Sequence, residues 1–399
     1  MRRAILAFFC SALTLTCLAA SDVLPAAAAG SRQHVTTTTE KSVCRHVRRA
    51  RARCFAVRLD RVRRGRVRHA AAPLGLTPAD LVSAYSLPAA PAGAGQIVAI
   101  VDAYDDPSAE ADLAVYRQQF GLPACTTRNG CFRKVDQTGG HSYPAPDGGW
   151  AQEISLDLDM VSAVCPACHV LLVEADSAAQ ANLGAAVDTA VRLGATEVSN
   201  SYGGPDASDD TYGRYYHHPG VVITASAGDN GYGVSYPASS KWVVAVGGTS
   251  LRRSTRARRG WSEGVWDGTG SGCSTMNSGT GERTATTQCA GRAVADIAAV
   301  ADPATGVAVY DSDSFQDTSG WLTFGGTSAS SPIIAAAFAL AGNGSSVTDG
   351  TWFWSHHRTG LTDVTSGSNG HCATTRWCIA HSGWDGPTGW GTPHGVGAL

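Results

Sequence analysis

Beyond its first thirty residues the chain has no apolar run long enough to cross a bilayer. The longest, "IIAAAFALAG" at 333–342, is about half the length of a spanning helix. This argues against a membrane-embedded body. There is no internal repeat, which excludes a solenoid or propeller. Cys165-Pro-Ala-Cys168 has no second CxxC and no thioredoxin-like surroundings. Zinc and redox readings of that pair therefore find no support. Lysine is scarce too, with three in 399 residues.

What is present begins with a leader. Arg2 and Arg3, the apolar "AILAFFCSALTLTCLAA" and the small residues of "AAAAG" read as a secretory signal over residues 1–29. An exported, extracellular protein is expected, with no membrane association once the signal is removed. Cys10 and Cys17 leave with it. The remaining cysteines fall into local couples, Cys44/Cys54, Cys125/Cys131, Cys165/Cys168, Cys273/Cys289 and Cys372/Cys378. An even count in an exported chain favours disulfides.

The net charge of −2 conceals a division. Residues 41–68 carry Lys41 and eleven arginines against one acid, Asp60, and from residue 69 onward 16 basic residues face 30 acidic ones. A nucleic-acid arm is one reading of such a basic stretch. In an exported chain a removable pro-segment complementing an acidic partner domain fits better, over residues 30–73. The expected partners are protein or peptide substrates rather than nucleic acid, and the protein is expected to be a monomer. An acidic body suits low pH, where fewer ionised carboxylates repel one another.

From "GQIVAIVDAYDDP" (95–107) onward, continuous apolar strands alternate with amphipathic helices. The helices are expected in "PSAEADLAVYRQQFG", from about Trp150 to Val164, and in "AAQANLGAAVDTAVRLG". The strands are "CFRKVDQ", "HVLLVEA", "TEVSNSYGG" and "GVVITASAGDNG". This alternation predicts an α/β fold with a mostly parallel central sheet covered on both faces, in one large domain over 74–399.

Candidate chemistry lies where strands end. In "FGGTSASSP" (324–332) two glycines and a Thr precede Ser328 at the start of an apolar helix. A serine hydroxyl needs a positioned base to act as a nucleophile. His141 is placed between Asp102 and Ser328, the Asp–His–Ser order of subtilisins. It sits in "GGHSYPAPDGGW", a loop with two prolines rather than a helix start. His217 and His218 lie in a polar turn. In "WAQEISLDLDM", by contrast, Glu153 and Asp157 are four apart on one helix face. Ile154, Leu158 and Val161 form the expected buried stripe, with the acidic pair at its border. Such a pair titrates as a unit, and one member can take a proton in acid solution. Glu153 is thus the candidate base for Ser328.

With these motifs in place the chain resembles the sedolisins, serine-carboxyl peptidases of subtilisin-like three-layer α/β/α fold. "EISLD" resembles the family's Glu-x-x-x-Asp helix, "SAGDNG" its Ser-x-Gly-Asp loop and "GGTSAS" its nucleophile turn, over roughly residues 95–395. The resemblance implies a secreted serine endopeptidase acting at acid pH and made as a zymogen. Ser328 would be the nucleophile and Glu153 the general base and then acid. Asp157 would orient Glu153, and Asp229 would donate to the oxyanion. Asp102 would extend the hydrogen-bond chain behind Glu153, with Tyr202 in the same layer. Asp229 can donate a hydrogen bond only while protonated. The C-terminal stretches "TDVTSGSNG" and "IAHSGWDGPTGWG" resemble the family's calcium site. One structural calcium would be held by Asp363, Asp385 and the carbonyls of Val364, His381 and Gly383, an oxygen shell that a hard cation prefers. His381 stands where the family usually has Gly. Residues 30–73 are too short for the family's folded pro-domain. Two other readings remain open: a neutral Asp102/His141/Ser328 peptidase, and a catalytically idle calcium-stabilised binding scaffold.

Overall fold

The computed structural model describes residues 36–45, 50–63, 66–67, 70–279, 281–357 and 359–399, and the expected signal lies outside them. The described part, Thr36–Leu399, forms one compact unit.

Three strands come first: β1 (Thr37–Ser42), β2 (Arg53–Cys54) and β3 (Val57–Arg63). The alternating strands and helices follow: β4 (Ile97–Ala103), α1 (Ala109–Gln119), β5 (Phe132–Asp136), α2 (Gly148–Val164), β6 (His169–Ala175), α3 (Gln180–Arg192) and β7 (Glu197–Asn200). The chain continues through β8 (Tyr202–Pro205), β9 (Val222–Ser226), β10 (Val244–Arg253), β11 (Trp261–Val265) and β12 (Ile297–Val300). It then makes a hairpin, β13 (Val307–Phe315) and β14 (Thr318–Gly325), before helix α4 (Thr327–Ala341).

The main sheet runs β11-β10-β9-β7-β4-β6-β5, with β12 beside β10. Every pairing in it is parallel except β10 with β11. Helices cover both faces, α2 and α4 packing on each other and α3 lying against β4 and β6. This is the three-layer α/β/α arrangement expected from the alternation.

A helix usually shows one apolar stripe; α2 is buried on all sides from Gly149 to Val164. The expected border position of Glu153 and Asp157 is therefore corrected, since α4 and β13 close over the face that sequence periodicity marks as polar. Asp147 caps the helix, accepting from the N–H groups of Gly149 and Trp150 at 3.0 and 3.1 Å.

The N-terminal basic stretch is woven into the sheets. β1, β3, β14 and β13 form an antiparallel sheet in that order, and β2 pairs antiparallel with β8. Arg58 is fully buried, with Nε 2.6 Å from Asp60 and Nη1 2.8 Å from Gln152. All five expected cysteine couples are disulfides. Cys165 and Cys168 are consequently unavailable to a metal.

Candidate active site

Ser328 is the second residue of α4, so helix geometry leaves its N–H without an intrahelical acceptor. The turn before it needs Gly326, which has φ +89° and no room for a Cβ. Four residues after Ser328 stands Pro332, which has no N–H to donate to the Ser328 carbonyl. The Ser201 hydroxyl reaches both that carbonyl, at 3.3 Å, and Asp157 Oδ1, at 2.8 Å, and its single hydrogen goes chiefly to the carboxylate. In return the Ser328 hydroxyl donates to Ser201 O at 3.1 Å. Ser201 was not singled out in the sequence. The proline four residues past the candidate nucleophile was the available signal that a side chain must serve that carbonyl.

α2 brings Glu153 and Asp157 to the same place, and both are fully buried. Glu153 Oε2 accepts the N–H of Ala56 at 2.8 Å, while Oε1 has no hydrogen-bond partner among the described residues. Burial pushes the Glu153 carboxyl well up; the charge of Asp157 adds to this, and the Ser328 hydroxyl and Ala56 N–H oppose it. Asp157 is raised by burial and by Asp102, against its bond from Ser201. Asp102, at the end of β4, is raised by burial, then by Glu153 and Glu174, and neither of its oxygens has a partner among the described residues.

These carboxyls form a continuous buried row whose far end, Glu174, is 3.0 Å from Lys134. Burial lifts Glu174 to about 8, against Lys134. In such a row charge is costly and protons are shared. Glu153 accepts the Ala56 N–H and has the Ser328 hydroxyl within reach, Asp157 accepts from Ser201, and Asp102 has no donor among the described residues. The charge the row retains is thus held best on Glu153, beside Ser328. Tyr202 is fully buried in the neighbouring layer and donates to Asn200 at 2.6 Å.

Asp229 comes from the loop after β9. Its Oδ1 accepts both the N–H and the hydroxyl of Thr327 at 2.8 Å, and its buried Oδ2 has no partner among the described residues. Burial pushes Asp229 up to about 7, against the Thr327 bonds and the Arg53 charge. A protonated Oδ2 is a free donor beside the nucleophile turn.

His141 is exposed on the loop after β5, the edge strand, with Nδ1 3.2 Å from the Tyr143 hydroxyl. His217 stacks on Trp242, and His218 sits 3.0 Å from Asp188. The structure brings none of these to Ser328.

At the C-terminal end Asp385 is fully buried, and Asp363 Oδ2 accepts from Gly383 at 2.9 Å. Burial lifts Asp385 to about 7 against its bonds from His381 and Thr388, and the charge acting on it is a second carboxylate, Asp363. Two converging acids, one of them buried, fit a hard cation. Among the described residues no group of three or more His, Cys, Asp or Glu side chains is arranged to hold a metal ion, so the remaining oxygens would come from main-chain carbonyls.

The subtilase family model matches residues 146–390. Kumamolisin of Bacillus sp. (strain MN-32) is 31% identical, the match covering 82% of this chain and 64% of kumamolisin. Sedolisin of Pseudomonas sp. (strain 101) is 28% identical, covering 80% and 60% respectively. The chain thus spans somewhat under two thirds of the length of these relatives. The solved structure of Pseudomonas sedolisin, a serine-carboxyl proteinase complexed with two molecules of pseudo-iodotyrostatin, superposes with a TM-score of 0.68 at 26% identity. That match covers 82% of this chain and 96% of that one.

Proposed function

The chain belongs to the subtilase family, on its sedolisin branch, and from that premise we propose that it is a secreted serine-carboxyl endopeptidase that cleaves peptide bonds in acid. The observation that carries this reading is the convergence of Ser328, the Glu153–Asp157 pair and the unpartnered Oδ2 of Asp229. Ser328 attacks the substrate carbonyl. Its hydroxyl turns from Ser201 O to Glu153, which takes the proton and returns it to the leaving nitrogen. Asp157 and Asp102 spread the charge behind Glu153. Protonated Asp229 and the Ser328 N–H donate to the oxyanion. Water then attacks the acyl-enzyme with Glu153 again as base.

A pH–rate profile on an unfolded protein substrate tests this reading. Activity should be confined to acid and fall as Asp229 ionises, near its pKa of about 7. A neutral optimum in the wild type contradicts the carboxyl mechanism.

Asp229→Asn sharpens the test. Its amide oxygen can keep the Thr327 bonds while its NH2 donates without needing a proton. The alkaline limb of the profile should move up by a pH unit or more. Asp229→Ala should instead lose roughly 10²–10³ in kcat at every pH, as for removal of an oxyanion donor. Superimposable alkaline limbs in wild type and Asp229→Asn remove Asp229 from this role.

Asp363 and Asp385, with the carbonyls of Val364, His381 and Gly383, are proposed to hold one structural calcium that ties the C-terminal loops. Chelator should lower the melting temperature of wild type, because a ligand bound only by the native state stabilises it. Asp385→Ala should melt lower and be indifferent to chelator. Identical melts for both proteins, with and without chelator, exclude the site.

A further inference from the structure

We propose that residues 51–58 lie in the catalytic cleft as a substrate with Phe55–Ala56 as the reactive bond, and that the Cys44–Cys54 disulfide makes this stretch a built-in, slowly cleaved inhibitor. The proposal rests on the peptidase reading above.

The backbone register comes first. Arg53 and Cys54 pair antiparallel with Gly203 and Tyr202. The Phe55 N–H donates to Ser201 O at 3.2 Å, the same carbonyl that accepts the Ser328 hydroxyl. Past the bond, Val57 and Arg58 pair with Gly325 and Phe324, immediately before the nucleophile turn. The stretch therefore crosses the cleft as an extended strand, held at either end by a different strand of the protein. Strand addition of this kind is how extended peptides are gripped.

The groups on either side of the bond lie next to those the chemistry would use. The Cβ that Gly326 lacks would lie 1.8 Å from Phe55 O and 2.7 Å from Asp229 Oδ2. Only glycine admits that carbonyl, and the carbonyl oxygen sits beside the proposed oxyanion donor. The Ala56 nitrogen, which would be the leaving group, donates to Glu153 Oε2 at 2.8 Å. Ser328 beneath is fully buried.

The side chains are seated as well. Phe55 is 2% exposed, and its ring lies over Gly203, where a Cβ would come within 2.7 Å of it. Arg53 reaches Asn230 at 2.9 Å.

The clamp follows from the pairing around the bond. β1 pairs with β3 from Thr37–Val62 to Ser42–Val57, and the Val43 N–H donates to Ala56 O at 3.2 Å. Cys44, two residues past β1, is bonded to Cys54, next to Phe55. The strand on the leaving side is thus hydrogen-bonded to a segment covalently tied to the acyl side.

When Ser328 Oγ attacks the Phe55 carbonyl, Glu153 takes the hydroxyl proton and passes it to the Ala56 nitrogen. The C–N bond breaks and an ester forms between Phe55 and Ser328. The new amine remains in place. Re-attack re-forms the peptide and returns the proton to Ser328, whereas water yields the Phe55 carboxylate and frees Ser328. Effective molarities of about 10⁵–10⁸ M for well-oriented intramolecular groups favour re-attack over water.

The test uses the full chain, incubated in acid, with N-terminal sequencing and intact mass as readouts and hydrolysis of an added peptide followed separately. Wild type should slowly yield a new N-terminus at Ala56. The Cys44→Ser/Cys54→Ser double variant should yield it at least tenfold faster, with peptide hydrolysis rising in step. Equal rates in the two overturn the clamp. Phe55→Asp, which keeps the disulfide, should lose the cut at this bond. A persisting cut there, or an active wild type in which Phe55–Ala56 stays intact and the cut falls elsewhere, overturns the register. Absence of both self-cleavage and peptide hydrolysis in wild type tells against the peptidase reading itself.

Discussion

Glu153→Gln is expected to lower kcat by about four orders of magnitude or more, nearly as far as Ser328→Ala, since residues that act as one unit lose nearly everything together. Gln keeps the shape of the side chain and can accept the Ala56 N–H as Oε2 does at 2.8 Å. It cannot take the Ser328 proton. The neighbourhood should lose little stability, because Gln is neutral and nearly isosteric in a fully buried row where burial already favours the protonated carboxyl. A large drop in kcat with little drop in melting temperature is therefore the expected pattern, measured by peptide hydrolysis and thermal melts on the same samples. Neither variant should acquire an N-terminus at Ala56. His141→Ala should stay within about twofold of wild type, because its ring contacts an exposed tyrosine. If His141→Ala is inactive and Glu153→Gln is not, the base has been misassigned.

Much of the candidate site was legible because its parts are local. A Gly-Gly-Thr-Ser turn, an acidic pair at helical spacing and an Asp in a glycine loop each carry their chemistry within a few residues. Their order places them at strand ends. Depth was not legible. The face of α2 that reads as polar is covered by β13 and α4, elements that follow more than a hundred residues later. No periodicity within α2 reports such a cover. The lysine end of the acid row was hidden for the same reason, since Lys134 and Glu174 come from different strands. Residues 51–58 were read by charge, as part of a removable basic segment. Charge hid the apolar residues of "CFAV", whose Phe55 and Ala56 are the ones at the site. Pairing of this stretch with Gly203 and Gly325 spans well over a hundred residues. Long-range strand pairing leaves its mark in three dimensions and hardly at all in local sequence.

The buried acids also make stability depend on pH in an unusual direction. Burial raises Asp296 to about 6, Asp229, Asp311 and Glu197 to about 7, and Glu174 to about 8, from ordinary values of 3.8 for Asp and 4.5 for Glu. Glu153, Asp157, Asp102, Asp106 and Asp159 move the same way, burial being the main cause in each. A carboxyl whose pKa is higher in the folded than in the unfolded protein binds more protons when folded. Its contribution is fully present below the unfolded value, about 4, and is lost as pH rises through the folded value. Asp136 opposes this trend. The hydroxyl and N–H of Thr138 and the N–H groups of Gly140 and Ser142 outweigh its burial and hold it low, so its contribution is lost only in stronger acid. The melting temperature should accordingly peak in mild acid and fall steadily between about pH 4 and pH 8. Individual shifts do not add in a row that shares protons, so the net loss is taken as about 5 kcal/mol, or on the order of 10 °C. Ser328→Ala protein is the sample of choice, because it should not digest itself, and chelator keeps calcium binding by ionised Asp385 from opposing the trend. A melting temperature several degrees higher at pH 8 than at pH 4 contradicts the protonated acid row. Since Asp229 belongs to the same set, it would also remove the physical basis for a neutral oxyanion donor and for acid catalysis.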